Sequence, residues 1–161
     1  RSECSHRSRA LEEFQIKQVR SKEELAQARG IRKAVFVTEQ GIPAQLEFDE
    51  DDDRAIHVLI LRLAKPNGQP QAVATGRLIL KDDSHGSLSR IAVLREYRGQ
   101  GLGKAVVQTL EEKARQLGLG YLSLQPHSYL EDFYGKLGYK RIPGAHSSVA
   151  GHPLISMDKQ L

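Results

Sequence analysis

The sequence has few of the features that stabilise secreted, zinc-binding or membrane-spanning proteins. Its 161 residues include a single cysteine, Cys4, which excludes an internal disulfide, and no cluster of cysteines and histidines has the spacing of a zinc site. The longest apolar runs, such as HVLILRLA at residues 57–64, are far too short to cross a bilayer. The first residues carry no charged-then-apolar signal pattern. We therefore expect a cytoplasmic protein that uses no metal.

Charged residues are common but unevenly distributed. Lysine and arginine outnumber aspartate and glutamate by 24 to 20, and this net charge of +4 indicates nucleic-acid binding only weakly. The stretch EFDEDDD at residues 47–53 is almost entirely acidic. Basic residues instead gather near a glycine-rich turn, at Arg90, Arg95, Arg98 and Lys104. The division suggests a bound anion near the turn and a bound cation elsewhere, or two solvated faces. We expect residues 51–53 to be solvated.

Hydrophobic periodicity predicts alternating strands and helices. Strands are predicted at residues 14–19, 55–64, 71–80, 87–94, 121–125, 139–142 and 153–158. Ser21 and Glu24 form a capping box, so we expect a helix to begin at Lys22. A second helix follows the glycine turn and ends at Gly118, and a short third helix is predicted over residues 128–137.

This order of elements indicates an α/β fold with a mixed sheet, because an antiparallel meander precedes a strand–helix–strand unit. The Asn67-Gly68 pair predicts a hairpin turn within the meander, since both residues tolerate positive φ. Residues 1–12 are polar and rich in arginine and serine, and we expect a disordered extension, a processed end or a cloning remnant there. Residues 13–161 are predicted to form one domain.

The glycine turn lies in the stretch AVLREYRGQGLGKAVVQTLEEKA at residues 92–114. Its three alternate glycines do not have the G-x-G-x-x-G spacing of a dinucleotide site, and Arg98 and Ala105 break the pattern of a Walker loop. Glycines at a helix start let the backbone approach a ligand closely, and the first N–H groups of the helix point outward. With Arg98 and Lys104 beside it, the turn is predicted to bind phosphate groups.

Two motifs in register resemble the GNAT N-acetyltransferase superfamily. RIAVLREYRGQGLGKAVVQTLEEKA resembles its motif A, in which R/Q-x-x-G-x-G binds the pyrophosphate of acetyl-CoA, here Arg98, Gly101 and Gly103. DFYGKLGYKRI resembles motif B, and the resemblance covers residues 14–160. RKAVFVTEQGIPAQLEFDEDD and GHPLISMDK further resemble a small bacterial subgroup with the pattern V-F-V-x-E-Q-x-x-P.

The resemblance implies a mixed, mostly antiparallel central sheet that is splayed around the acetyl-CoA site and flanked by helices. It implies that Ile91, Ala92 and Val93 pair with the pantetheine arm, and that the Val93 amide stabilises the oxyanion of the tetrahedral intermediate. Tyr134 would lie beside the thioester and protonate the departing thiolate. The pyrophosphate would be held by Arg98, Gly99, Gln100, Gly101, Leu102, Gly103 and Lys104.

Several other residues could have either a role in the reaction or a purely structural role. His127 is either the acceptor of the amine proton or a helix-start histidine bonded to backbone. The resemblance implies that the loop covering the acceptor side contains Glu39, Gln40, Glu47 and Asp49. Of these, Glu39, Glu47 and Asp49 are candidate substrate ligands. Glu47 or Asp49 would bind a cationic acceptor or act as the base. Arg77 and Arg90 either pair with this acidic loop or bind a carboxylate of the acceptor. His57 is expected to be a satisfied histidine of the sheet.

These observations predict an acetyl-CoA-dependent N-acetyltransferase with a small amine as acceptor. A protein or peptide acetyltransferase and a non-catalytic acyl-CoA sensor are the alternatives. Because Cys4 lies in the expected extension, direct transfer without an acetyl-cysteine intermediate is predicted. No nucleic-acid or membrane partner is expected, and a homodimer is left open.

Overall fold

One mixed sheet organises the molecule, which a computed structural model describes over residues 13–63 and 68–161. Residues 1–12, with Cys4, and the turn residue Asn67 lie outside this range. Seven strands of the described part follow the order β1-β2-β3-β4-β5-β7-β6, and only β4 and β5 run parallel. The predicted α/β fold with a mostly antiparallel sheet is confirmed. The strands are β1 (Phe14–Gln18), β2 (Ile56–Arg62), β3 (Gln71–Leu80), β4 (His85–Val93), β5 (Tyr121–Leu124), β6 (Lys140–Val149) and β7 (His152–Gln160).

The first helix begins where the capping pattern predicts. Ser21 Oγ accepts the Glu24 N–H at 3.1 Å and caps α1 (Lys22–Arg32), while the Glu24 carboxylate accepts the Arg20 N–H at 2.8 Å. The helix continues as a π-helical segment over Lys33–Glu39. The remaining α-helices are α2 (Ala44–Glu47), α3 (Leu102–Gln116) and α4 (Glu131–Lys136), with 3₁₀ turns at Glu50–Asp53, Arg95–Tyr97 and Ser128–Leu130.

The helices α1 and α3 cover opposite faces of the sheet because side chains alternate along each strand. In β2, Val58 and Ile60 pack in the core beneath α3, whereas Leu59 packs against α1. The buried apolar residues of α3 recur at helical spacing and include Leu102, Val106, Leu110 and Ala114. Those of α1 and its continuation are Ala28, Ile31 and Val35.

Strands β4 and β5 separate partway along their length. They pair from His85 to Leu88 and are not paired beyond that point. There β4 carries a bulge, because Arg90 and Ile91 together face the single residue Gly76 of β3. Arg90 adopts a φ of +56°, a conformation that is strained for a residue with a side chain. The bulge therefore marks the place where β4 turns away from β5 and opens the sheet.

The last two strands are longer than predicted. The sequence pattern ends the sixth strand at residue 142, because Pro143 and Gly144 interrupt it. The structure continues β6 to Val149, with Gly144 at a φ of +80° and an irregular register between Arg141 and His146. Since β6 lies at the edge of the sheet, the missing N–H of the proline is tolerated. Across the described residues, no helix is both long and apolar enough to cross a membrane.

Candidate active site

A cavity of about 1110 Å³ opens where β4 and β5 separate. Its wall also includes residues of the π-helical segment, the start of α3 and α4. Most residues that the sequence singled out line this cavity: Glu39, Gln40, Glu47, Arg90, Ile91, Ala92, Val93, Arg98, Gly99, Gly101, Leu102, Gly103, Lys104, His127 and Tyr134. Gln100, Asp49 and Arg77 do not line it. No group of three potential metal ligands occurs within the part of the chain that the structure describes.

The glycine turn forms one end of the cavity. Gly99 and Gly101 have φ values of +80° and +82°, and Gly101 is the residue from which α3 starts. Such left-handed backbone favours glycine. The Ala105 N–H donates to the Gly101 carbonyl at 3.0 Å, so the N–H groups of residues 102–104 precede the first intrahelical bond. They form a concentration of free donors at the positive end of the helix dipole, beside Lys104.

The Arg98 side chain connects this turn with the strand edge and the π-helical segment. Its Nε donates to the Val93 carbonyl at 3.0 Å, and its two terminal nitrogens hold the Glu39 carboxylate at 2.7 and 2.9 Å. The bond from Arg98 lowers the pKa of Glu39. The structure thus places Glu39 on Arg98, beside the glycine turn, whereas the resemblance led us to expect it in the loop that covers the acceptor side.

The edge of β4 faces the opening. The Leu94 N–H donates to the Val73 carbonyl of β3 at 2.9 Å. Because backbone groups alternate in direction along a strand, the N–H and carbonyl of Val93 point away from β3 and toward the gap. The bond from Arg98 to the Val93 carbonyl agrees with this orientation.

Tyr134 lies on α4 and is only 5% exposed. Its ring packs edge-on against Phe133 and Tyr139, with centroids 4.9 and 5.9 Å away. Burial, with a smaller contribution from Tyr129, raises the pKa of the phenol, so the hydroxyl keeps its proton at neutral pH. A buried phenol that lines a cavity is suited to donate a proton there.

His127 follows β5 and also lines the cavity. Its carbonyl accepts the Leu130 N–H at 2.9 Å, as a helix-start residue does. The ring is not bonded to backbone: Nδ1 is buried and lacks a hydrogen-bond partner among the described residues. The ring lies 5.1 Å from that of His152 and 5.5 Å from that of Tyr129, centroid to centroid. Burial, and then His152, lower the pKa of His127 and favour the neutral ring.

The acidic loop is held by three arginines. Arg32 bonds Glu47 at 3.1 Å and Asp52 at 2.7 Å, Arg77 bonds Asp49 at 2.7 Å and Asp52 at 2.8 Å, and Arg90 contacts Glu47 at 2.9 Å and Asp49 at 3.1 Å. We call these six residues the ion network. The three carboxylates of this network are balanced by its three arginines. This favours the alternative in which Arg77 and Arg90 pair with the acidic loop over the one in which they bind a carboxylate of the acceptor. It also leaves little net attraction for a cationic acceptor at Asp49.

The prediction that residues 51–53 are solvated was wrong for Asp52. This residue is 2% exposed and accepts hydrogen bonds from Arg29, Arg32 and Arg77. Burial alone would raise the pKa of Asp52, but the arginines more than offset it and lower the value. In Asp49, bonds from Arg77 lower the pKa to about 2. His57 is buried, with Nε2 2.9 Å from the Asp52 carbonyl, which agrees with a satisfied histidine of the sheet.

Sequence reasoning missed Arg32 and His152. Arg32 is fully buried, although an arginine on a helix is usually exposed; the dense acidic run nearby was the signal that buried cations were needed. His152 donates from Nε2 to the Gln40 carbonyl oxygen at 2.9 Å, and no motif marks this histidine in the sequence. Since a carbonyl only accepts, Nε2 carries the proton in this contact.

Comparisons with known proteins agree with this arrangement. A family model described as the acetyltransferase (GNAT) family matches residues 22–139. The chain is 36% identical over 148 residues to a candidate acetyltransferase of Bacillus subtilis (strain 168), covering 90% of this chain and 95% of that protein. The crystal structure of a candidate N-acetyltransferase from Lactobacillus plantarum is similar, with a TM-score of 0.80 and 30% identity, over 92% of this chain and 98% of that one.

A third similar structure has a ligand bound. The structure of a GNAT family acetyltransferase from Elizabethkingia anophelis with acetyl-CoA bound shares the fold, with a TM-score of 0.67 and 14% identity, over 92% of this chain and 99% of that one. The family model spans most of the chain, and the relative from Bacillus subtilis aligns over nearly its whole length. The resemblance drawn from the sequence is confirmed: this protein belongs to the GNAT family of acetyltransferases.

Proposed function

We propose that this protein is an acetyl-CoA-dependent N-acetyltransferase that moves the acetyl group directly to the amine of a small-molecule acceptor. One observation carries the proposal: the glycine turn, the unpaired edge of β4 and Tyr134 line the same cavity. A thioester with a pantetheine arm and a pyrophosphate needs an anion site, an extended backbone edge and an acid for its leaving group. The relative from Elizabethkingia anophelis that has acetyl-CoA bound supports the cosubstrate.

In this proposal the chain binds the cosubstrate at two places. Residues 98–104 hold the pyrophosphate through backbone N–H groups, the dipole of α3 and Lys104. The stretch of Ile91, Ala92 and Val93 offers the pantetheine arm the backbone groups that point away from β3, above all the Val93 N–H, as a strand edge pairs with a peptide. The arm then runs from the glycine turn toward the point where β4 and β5 separate.

The chemistry uses three groups of the chain. The amine nitrogen attacks the carbonyl carbon of the thioester, and the Val93 N–H stabilises the resulting oxyanion. The carbon–sulfur bond then breaks, and the Tyr134 hydroxyl donates its proton to the sulfur. The amine loses a proton to His127 Nδ1, directly or through water, and solvent restores both side chains to their neutral forms. Direct transfer needs no cysteine nucleophile.

Release of the CoA thiol, followed with acetyl-CoA and a panel of amines, tests this proposal. We expect release that depends on both the protein and a small amine. A non-catalytic sensor would bind CoA in calorimetry but release no thiol with any acceptor. A peptide acetyltransferase would use lysine-containing peptides and no small amine. Either result would contradict the proposed function.

A further inference from the structure

Three buried side-chain atoms lack a hydrogen-bond partner among the residues that the structure describes. They are Gln40 Oε1, Glu47 Oε2 and His127 Nδ1. All three residues line the cavity at the opening of the sheet. A buried polar atom without a partner is costly, so three such atoms around one cavity indicate a ligand that satisfies them.

The chemistry of these atoms restricts that ligand. The Glu47 carboxylate and the Gln40 amide oxygen only accept hydrogen bonds, and a neutral histidine nitrogen accepts when the proton is on the other nitrogen. Glu47 is 2% exposed, and Arg32 and Arg90 fix its other oxygen at 3.1 and 2.9 Å. The wall therefore presents acceptors in fixed positions. A primary amine, with up to three N–H donors on one atom, complements them.

The cations near these acceptors are already engaged. Arg90 donates to the carbonyls of Leu46 and Glu47, in addition to its ion pairs with Glu47 and Asp49. Arg77 lies outside the cavity wall and donates to Ser89, Asp49 and Asp52.

Among the described residues, the remaining cations of the cavity wall are Arg98, Lys104 and Lys81. Arg98 holds Glu39 and Lys104 belongs to the glycine turn. Lys81 lies far from Arg90 along the sheet. Its backbone N–H donates to the His85 carbonyl, and five strand residues, roughly 16 Å at the usual rise per residue, separate His85 from Arg90. Among the described residues, a carboxylate two bonds from the amine would meet the Glu47 oxygen and, in Arg90, a guanidinium whose Nε and Nη2 are already bonded to Leu46, Glu47 and Asp49.

We infer that the acceptor is a primary amine without a carboxylate on the adjacent carbon, held by Gln40, Glu47 and His127. This inference rests on the proposed function and adds the substrate class. Because the acids of the ion network already balance its arginines, the carboxylate of an α-amino acid would have to compete with Glu47 and Asp49 for Arg90 in a partly desolvated wall. A decarboxylated amine of the same shape fills the same space and satisfies the three acceptors.

Pairs of compounds that differ only in the carboxylate test the inference. Tyramine with tyrosine, histamine with histidine, and ethanolamine with serine are compared by kcat/KM at saturating acetyl-CoA. We expect the amine of each acetylated pair to exceed its amino acid by at least about tenfold, the effect of one misplaced polar group in a specific site.

A variant of Gln40 gives a second measurement. Gln40→Met removes the accepting oxygen and keeps the length of the side chain, so KM for the amine should rise by about tenfold while the affinity for acetyl-CoA stays unchanged. Gln27→Met is the control, because Gln27 is exposed on α1 and does not line the cavity. Thermal unfolding confirms that both variants fold.

The outcomes separate this inference from the proposed function. Amino acids acetylated as well as the matching amines would overturn the inference and leave the proposed function standing. Turnover of no amine by a protein that binds acetyl-CoA, or an unchanged amine KM in Gln40→Met, would also overturn it. A protein that does not bind acetyl-CoA at all would contradict the proposed function itself.

Discussion

At the residue scale, burial keeps Tyr134 and His127 in the neutral forms that acyl transfer to an amine requires. The pKa of Tyr134 is raised, so its hydroxyl keeps the proton that the proposed function gives to the sulfur, and the pKa of His127 is lowered, so its ring stays neutral and can accept a proton. The two shifts have opposite signs because burial disfavours the charged form, which is the anion of tyrosine and the cation of histidine. In the proposed function, burial thus prepares Tyr134 as the acid and His127 as the base.

Replacing Tyr134 with phenylalanine tests the role of its hydroxyl. Tyr134→Phe keeps the ring and its edge-on contacts, so the fold and the affinity for acetyl-CoA should change little. Loss of a general acid should lower kcat by at least about tenfold, measured as thiol release under conditions limited by chemistry.

Tyr139→Phe is the matched control for this variant. Tyr139 is equally buried in the same aromatic cluster, but its hydroxyl bonds Glu111 at 2.8 Å and it does not line the cavity. Its loss should reduce stability and leave kcat nearly unchanged. Equal kcat values for Tyr134→Phe and the parent would remove Tyr134 from the mechanism.

The sequence predicts residues that belong to short motifs better than those whose role depends on distant partners. The glycine turn could be identified because left-handed backbone at a helix start demands glycines at fixed spacing. The partners of Glu39 and Asp52 could not, because Arg98 and Arg77 come from segments far away in the chain. The sequence of a run such as DDD does not distinguish an exposed aspartate from a buried one, because burial depends on which of them contacts arginines in the folded chain.

At the scale of elements, the ion network fixes the acidic loop against α1 and the β3–β4 pair. Arg32 lies at the end of α1 and is fully buried between Glu47 and Asp52. Arg90 meets the same loop from the bulge of β4, so its contacts help to hold a strained backbone. The ion network therefore helps to position the segment that carries Glu47 to the cavity.

Removing Arg32 should destabilise the fold. Arg32→Met leaves two buried carboxylates with fewer partners, and breaking a buried ion pair in this way costs about 3–5 kcal/mol. Arg29→Met is the control: its side chain is 42% exposed and, within the described part of the chain, forms an ion pair with Asp52 alone, so its loss should cost less than about 1 kcal/mol. Urea denaturation measures both, and equal losses for the two variants would refute the importance of the buried arginine.

The Glu39–Arg98 pair joins the end of the π-helical segment to the glycine turn. In the structure the Glu39 carboxylate neutralises the guanidinium that the proposed function assigns to the pyrophosphate. Glu39→Gln should therefore increase the affinity for CoA by about two- to fivefold, the range of a partly exposed ion pair. The gain should shrink at high salt.

A double variant tests whether the gain in CoA affinity comes from the freed Arg98 guanidinium. In an Arg98→Gln background the Glu39→Gln change should have no effect on CoA affinity, because the freed charge is absent. Weaker CoA binding by Glu39→Gln in calorimetry would mean that the pair supports the site and does not compete with the phosphates.

The elements themselves were largely predictable, because alternation and helical spacing follow from which faces are buried. The exceptions have physical causes. Edge strand β6 contains a proline and a left-handed glycine that interrupt the pattern without ending the strand. The bulge at Arg90 could not be predicted, since nothing in SLSRIAV marks a residue with positive φ.

At the scale of the whole molecule, the opening of one sheet creates the site. Strands β4 and β5 are parallel neighbours for four residues and then part, which exposes a backbone edge within the sheet instead of at its border. The glycine turn continues from one side of this opening, and His127 and α4 follow the other. Groups far apart in the sequence thus come to share one cavity, which is why neither motif alone could reveal its acceptor end.

Calorimetric titration with CoA of the parent and two glycine variants tests the central claim, that this cavity is the acyl-CoA site. Gly101→Asp and Gly118→Asp replace left-handed glycines with φ values of +82° and +79°, each with open space for a new side chain, at opposite ends of α3. Gly101 lines the cavity and Gly118 does not. We expect the parent to bind CoA, Gly118→Asp to bind it equally well, and Gly101→Asp to bind it at least about tenfold more weakly, which corresponds to about 1.4 kcal/mol. Equal affinities for the parent and a folded Gly101→Asp, or no binding by the parent, would contradict the account.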